Sequence, residues 1–328
     1  MGVTLAKTTD TLDTRYKLGE ALGGLILLGI ACSLPEIAVV CSAAANGHIP
    51  VIFGIILGGI TIRTLSLALL DFTVNKKRPL SYLAGSPILF IEASFAMALA
   101  IIAFFAAFIP QKDNLFGTNP LSIVLVIGYV AGLFMINKIR KNPSLNKTNE
   151  DALPGRHHHE RRAVENHKFF ANKSNARVIA IFILAAIVSL ISGIILEISG
   201  TKIAAHLSIG TGIFAATVIA LITALPEISS AFESIIIGDN HLAISDIMGG
   251  NAFMLTIFFI ADLVYGKPIL SYATRADTYL ALLGIAMMGI YAISFISSHR
   301  QRLLRFGVDS ITEIVLYGAG TYLVTMIK

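Results

Sequence analysis

The sequence predicts an all-α integral membrane protein of about nine transmembrane helices, arranged as two inverted repeats. Three observations carry the prediction. The 328 residues are 55% hydrophobic and only 14% charged, with a mean hydropathy of +0.77, which sets the chain apart from soluble enzymes. A Leu-Pro-Glu-Ile segment occurs twice, at Ser33-Leu-Pro-Glu-Ile37 and Ala224-Leu-Pro-Glu-Ile228, with its glutamates 191 residues apart. Basic residues gather in alternate loops between apolar runs, the pattern that orients a polytopic chain.

Crossing the hydrocarbon takes about 20 apolar residues, and runs of that kind lie near 18–46, 50–73, 81–109, 119–140, 176–199, 204–237, 241–265, 275–298 and 306–326. Residues 1–17 precede them as a cytoplasmic N-terminal segment. Ala43-Ala44-Ala45 resembles a signal-peptide cleavage site, but the same pattern recurs in mid-chain, so the first run is retained core. Residues 18–140 make the first membrane repeat and 176–328 the second. The connector between them, 141–175 with its flanks, carries ten Lys or Arg and four Asp or Glu over 138–177 and no apolar stripe. Within it His157-His158-His159-Glu160 is either a transition-metal tract or simply solvated.

Lys7, Arg15 and Lys17, then Lys76-Lys77-Arg78, the connector, and Arg300, Arg302 and Arg305 all fall on one side, which is the cytoplasm. The expected location is the plasma (inner) membrane, with the N-terminus and the 138–177 loop cytoplasmic and the C-terminus outside. The net charge of +5 is then explained by topology and anionic lipid, with no sign of nucleic-acid binding. Trp is absent, so Tyr82, Tyr265 and Tyr272 are candidates for the interfacial belt. Cys32 and Cys41, about 13 Å apart along one helix, are too distant to bridge.

A shift of 191 residues aligns Glu36 with Glu227, Gly47 with Gly238, Gly58-Gly59 with Gly249-Gly250 and Asp71 with Asp262. With a small indel, Arg78-Pro-Leu-Ser-Tyr82 matches Lys267-Pro-Ile-Leu-Ser-Tyr272. The second Pro-Glu helix is the fifth span after the first, so the two cross in opposite directions, as in the inverted repeats of secondary transporters, where the ion site lies near the midplane. A charged side chain at that depth costs about 2.5–3.5 kcal/mol on insertion scales, so two such acids mark a working site. Pro35 and Pro226 should also free the carbonyls of Ala31 and Ile222 beside the glutamates, giving the makings of a cation cage.

On these motifs, from Ser33-Leu-Pro-Glu36 through Gly58-Gly59 and from Leu225-Pro-Glu227 through Gly249-Gly250-Asn251, the chain resembles the sodium/calcium exchanger family of calcium:cation antiporters, as a divergent member. The resemblance implies ten helices in two inverted halves of five. Glu36 lies so near the N-terminus that the first family helix has no room, whether genuinely or through a misplaced start, leaving four plus five. It also implies Ser33, Glu36, Thr223 and Glu227 as ion ligands. At further positions the family's ligands are replaced, by Cys32, Gly59 and Gly250, and by Arg63 and Met254 where Asn or Asp is usual. Ala224 takes the place of a further hydroxyl in the second motif.

Arg63 lies one turn beyond Gly59 and should point into the same cavity, where its permanent charge would lower the site from about −2 to about −1. The alternatives are a snorkelling side chain or a pair with Asp71. Asp246, on one stripe with Gly250 and Met254, is either a compensating ligand or a helix-start acid favoured by the dipole. Asn251 is expected to bond between helices, and Glu92 to pair with a neighbouring helix. Asp71, Asp262, Glu197 and Glu233 are expected to be solvated near helix ends.

The expected activity is secondary active antiport of Ca2+ or another divalent cation against Na+ or H+, with inorganic cations and membrane lipids as the partners. No cofactor is called for, and no hydrolase constellation is present. A monovalent Na+/H+ exchanger, or a transport-silent interaction or sensor protein neutralised by Arg63, remains open. The oligomeric state cannot be read from the sequence.

Overall fold

The computed structural model describes residues 2–16, 28–74, 79–108, 118–140, 173–236, 238–296, 302–303 and 306–327. Among them seven helices are long and apolar enough to cross a membrane: Ile49–Asp71, Pro87–Ala106 (α7), Pro120–Arg140 (α8), Asn175–His206 (α9), Thr211–Ile236, Asn240–Tyr265 (α12) and Arg275–Ile296 (α13). The first expected span is described from residue 28, as α2 (Leu28–Cys32) and α3 (Leu34–Ala45). The last is α14 (Val308–Met326). The result is a helical bundle of the inverted-repeat class, with one short antiparallel pair, Arg302–Leu303 against Phe306–Gly307, before the last helix. His157–His159 and the connector centre lie outside the described residues.

The two Pro-Glu helices solve the proline problem differently. The helix breaks at Ser33, so Pro35 stands in the first turn of α3, where its missing N–H costs nothing. Pro226 lies inside α11 (Ala220–Ile236), which runs on unbroken after the short α10 (Thr211–Phe214) and a π-helical turn, Ala215–Ile219. Ile49–Asp71 has its own π-helical turn, Gly54–Gly58, between α4 (Ile49–Phe53) and α5 (Gly59–Asp71).

The two π-turns pack on each other backbone to backbone. A Cβ on Gly58 would stand 2.4 Å from the Cα of Ala216, and one on Gly54 would stand 2.4 Å from the carbonyl oxygen of Gly212. Small residues therefore set the helix separation, as in membrane helix pairs generally. Gly58→Ala should lower stability by about 1–3 kcal/mol through overpacking. Its repeat equivalent Gly249 has nothing within 4 Å of a built Cβ, so Gly249→Ala should leave it unchanged or raised. Unfolding midpoints of the two detergent-purified variants check the contrast.

Three acids expected in solvent are instead buried, which corrects that reading. Asp71 is fully enclosed. Its Oδ1 accepts from Leu80 N (2.7 Å), and its Oδ2 accepts from Gly307 N (2.6 Å) and Ser310 Oγ (3.0 Å). Asp262, equally buried, accepts from Ile269 N (2.7 Å) at Oδ1 and from Asn119 N (2.9 Å) and Ser122 Oγ (2.7 Å) at Oδ2. Each acid thus satisfies orphan donors at the start of the last helix of the opposite repeat, α14 or α8, and ties the next short helix of its own repeat. The duplication aligns these two positions, and the structure gives them one job.

The third is Glu197 on α9, also enclosed. It meets His48 Nδ1 at 2.6 Å, accepts from Ser42 Oγ at 2.8 Å and lies 3.4 Å from Asn46 Nδ2, fastening α9 to the turn after α3. Glu233 is exposed, and Glu92 pairs with Arg140 Nη2 at 2.7 Å across α7 and α8. Tyr82 is buried at 5% exposure, in the bundle rather than an interfacial belt, whereas Tyr265 and Tyr272 pack edge to face with centroids 5.9 Å apart.

Residues 2–16, within the segment expected as a cytoplasmic N-terminus, form helix α1. It runs antiparallel along the first part of α9: Arg15 Nη1 donates to Asn175 Oδ1 at 2.7 Å, Leu12 packs with Val178, and Leu5 with Ala31 and Ala185. Leu5 and Leu12 are seven residues apart and share a face. The polar make-up of that face hid the element, since Thr8, Thr9 and Thr11 are buried along with the two leucines. The hydroxyls of Thr8 and Thr11 are satisfied on the preceding turn, at Thr4 O (2.8 Å) and Lys7 O (2.7 Å).

Candidate functional site

At the centre of the bundle α3, α5, α11 and α12 bring together Glu36, Arg63, Glu227 and Gly250. Arg63 Nη2 donates to Glu36 Oε1 at 2.7 Å and to Glu227 Oε1 at 3.0 Å, and Arg63 Nη1 donates to the carbonyl of Gly250 at 3.3 Å. Arg63 is 0% exposed, Glu36 1% and Glu227 8%. One guanidinium therefore bridges two acids contributed by opposite repeats. Glu36 Oε2, Glu227 Oε2 and Arg63 Nε have no hydrogen-bond partner. Each carboxylate so keeps one oxygen uncommitted.

The repeat symmetry explains why the arginine fits. Gly59 and Gly250 are equivalent positions, as are Arg63 and Met254. Arg63 lies over Gly250, with Nη1 3.5 Å from a built Cβ, and Met254 lies over Gly59, with Cε 3.0 Å from a built Cβ. Each glycine makes room for the longer side chain of the opposite repeat, one charged and one apolar. Asn251 holds the crossing together, its Nδ2 donating to Thr64 Oγ1 at 2.9 Å.

The remaining sequence-named residues fall around this core. Ser33, at the break between α2 and α3, is buried, and Cys32 beside it lies near the guanidinium. Thr223 stands one turn before Glu227 and beside the Glu36 carboxyl, its hydroxyl donating to Ala220 O at 3.2 Å. Asp246 is half-buried near Glu227, within 3.5 Å of Ser230 Oγ. Ala31 is buried and Ala224 with it, while the Ile222 side chain faces outward at 44% exposure. Sequence reading passed over Asp309 and Glu313 in the last span, although an acid within a span is the same signal that marked Glu36.

The chain is thus an inverted-repeat helical bundle with two acids from opposite repeats at its crossing. Comparisons with known proteins agree. Residues 177–326 match the family described as sodium/calcium exchanger protein. Among solved structures, native YfkE superposes with a TM-score of 0.63 at 14% identity, over 99% of this chain and 88% of that one. The H+/Ca2+ exchanger CAX gives 0.62 at 12% identity, over 98% and 84%. The sodium-calcium exchanger NCX_Mj gives 0.54 at 17% identity, over 98% and 95%. No curated protein matches the sequence itself. The family match thus covers the second membrane repeat, and the chain as a whole shares the fold of these solved structures.

Proposed function

We propose that this protein is a secondary active cation antiporter that exchanges Ca2+ or another divalent cation against Na+ or H+ by alternating access at Glu36 and Glu227. Arg63 acts as a tethered cation within that site. The observation that carries the reading is the single guanidinium nitrogen shared by carboxylates of both repeats. A guanidinium keeps its charge at any accessible pH, so it stands where one mobile monovalent ion would otherwise be held. The coupling stoichiometry then falls by one positive charge per cycle relative to a site with two free carboxylates.

Calcium takes six to eight oxygens. With Arg63 in place, the uncommitted oxygens are Glu36 Oε2 and Glu227 Oε2, supplemented by the hydroxyls of Ser33 and Thr223. A divalent ion therefore requires the guanidinium to leave at least one carboxylate, whereas a proton or Na+ does not. That difference favours, as a second reading, monovalent exchange, and the complete burial of Arg63 favours a third in which transport is silent.

Proteoliposomes with imposed Na+ or pH gradients separate the three. Wild-type protein should move Ca2+ against either gradient, and Glu36→Gln should reduce flux to background. Arg63→Asn should add one counter-ion to the cycle, shifting its voltage response by about 2.3 kcal/mol per charge per 100 mV. Na+/H+ flux without divalent flux supports the second reading, and flux confined to Arg63→Asn the third.

A further inference from the structure

We propose that cations reach the central carboxylates from the cytoplasm through a polar vestibule whose entry residue is Asp246, while the opposite approach is closed by the apolar residues that correspond to it in the other repeat. The role given to Asp246 rests on the antiport reading. The vestibule itself stands on the broken symmetry of the two repeats.

The axis relating inverted repeats exchanges the two faces of the membrane, so each position on one approach to the site has a counterpart on the other. Gly249 corresponds to Gly58, Asp246 to Ile55 and Ser230 to Val39, each pair 191 residues apart. A Cβ built on Gly249 meets nothing within 4 Å, whereas one on Gly58 would stand 2.4 Å from the Cα of Ala216. Asp246 and Ser230 are half-buried, but Ile55 and Val39 are 0% exposed and belong to the apolar core. The carboxylates follow the same order, Glu227 being 8% exposed and Glu36 1%. Space, polarity and exposure all lie on one side.

That side opens within the bundle. Helix α12 packs against α3, α5, α6 (Leu80–Ala84), α7, α8 and α11, and from Leu242 to Phe258 every residue is buried except Asp246, Gly249 and Gly250. At spacings of three and four these share one stripe. On it the Gly250 carbonyl meets Arg63, and one turn nearer the start of α12 Asp246 meets Ser230 Oγ at 3.5 Å. Ser230 follows Glu227 by three residues on α11 and faces the same way. Asp246 and Ser230 thus form a rung about 5 Å from the central one, on the side that the basic loops assign to the cytoplasm.

A carboxylate on a narrow approach raises the local concentration of cations, and clefts of one sign speed association by about 10–10³. Because the Coulomb energy doubles with the ion's charge, an enrichment of about threefold for a monovalent ion becomes about tenfold for a divalent one. Ile55 and Val39 supply no such field on the outer approach. The cytoplasmic face should therefore be the one that takes up divalent ions at low concentration.

The test labels single cysteines in full-length protein carrying Cys32→Ser and Cys41→Ser. In inside-out vesicles a membrane-impermeant methanethiosulfonate should modify Ser230→Cys and spare Val39→Cys. A cationic reagent should react with Ser230→Cys about tenfold faster than an anionic one of similar size, and Asp246→Asn should remove most of that preference. In flux assays with the native cysteines, Asp246→Asn should raise the half-saturating cytoplasmic Ca2+ about tenfold and Na+ about threefold, while the outer-face values hold. Gly249→Cys serves if Ser230→Cys does not fold. No cytoplasmic labelling of either, or labelling of Val39→Cys at the same rate, overturns the vestibule. A reagent preference that Asp246→Asn leaves intact overturns the role of Asp246. Cytoplasmic labelling with the expected preference but no cation flux would instead remove the antiport reading and leave the vestibule in place.

Discussion

Arg63→Asn should lower the stability of the purified protein by about 3–5 kcal/mol in a medium free of Na+ and Ca2+, the usual penalty for removing one partner of a buried ion cluster. The two glutamates lose the group donating to their Oε1 atoms, and any charge they hold is then uncompensated. Added Ca2+ should restore much of the loss, since a ligand at a hundred times its dissociation constant contributes about 2.7 kcal/mol. Acid should restore it as well, because protonating either carboxylate removes the uncompensated charge; the recovery runs with falling pH. Combining Glu36→Gln, Glu227→Gln and Arg63→Met should cost far less than Arg63→Asn alone, as neutral replacements of whole buried ion clusters commonly do. Thermal unfolding in detergent measures all three. An ion-free Arg63→Asn protein as stable as wild type, or one that Ca2+ does not rescue, removes the tethered-cation idea.

The centre of the molecule was legible because its signals are extreme in a membrane chain. An acid after a proline in mid-span, repeated 191 residues on, leaves few physical options, and an arginine in mid-span has to be answered by a negative charge. The bundle and its repeat were readable for the same reason, since apolar runs in water-free surroundings form helices. What stayed hidden was polar burial near helix ends. Asp71, Asp262 and Glu197 look like solvated terminal acids because sequence position gives depth along the helix but not what docks against its end. Helix α1 was missed for the converse reason: its buried face is threonine-rich, and threonine hydroxyls that bond to the preceding turn carry no hydropathy signal. The duplication held the missing information for the aspartates, since a polar residue kept at equivalent positions of both repeats implies equivalent work.

That work yields the second large effect. Asp262→Ala should destabilise the protein by about 3–6 kcal/mol, because it leaves Asn119 N, Ser122 Oγ and Ile269 N without an acceptor, at about 1–3 kcal/mol for each buried donor orphaned. Ser122 can still turn to Asn119 O, which lies 2.7 Å away, so the two backbone amides carry most of the loss. Asp262→Asn should recover only part. Its amide oxygen can replace Oδ2 opposite Asn119 and Ser122, but its NH2 group then faces the amide of Ile269, donor against donor. Hydrogen exchange distinguishes this from a general loosening. In Asp262→Ala, protection should fall first at 119–122 and 269–272, while Asp71→Ala should release Leu80 and the start of α14. Each aspartate holds the last helix of the other repeat, so neither half can close its own bundle, and a defect in one should appear in the far half of the sequence. Exchange that rises only within the repeat carrying the substitution would mean that the halves are merely packed together.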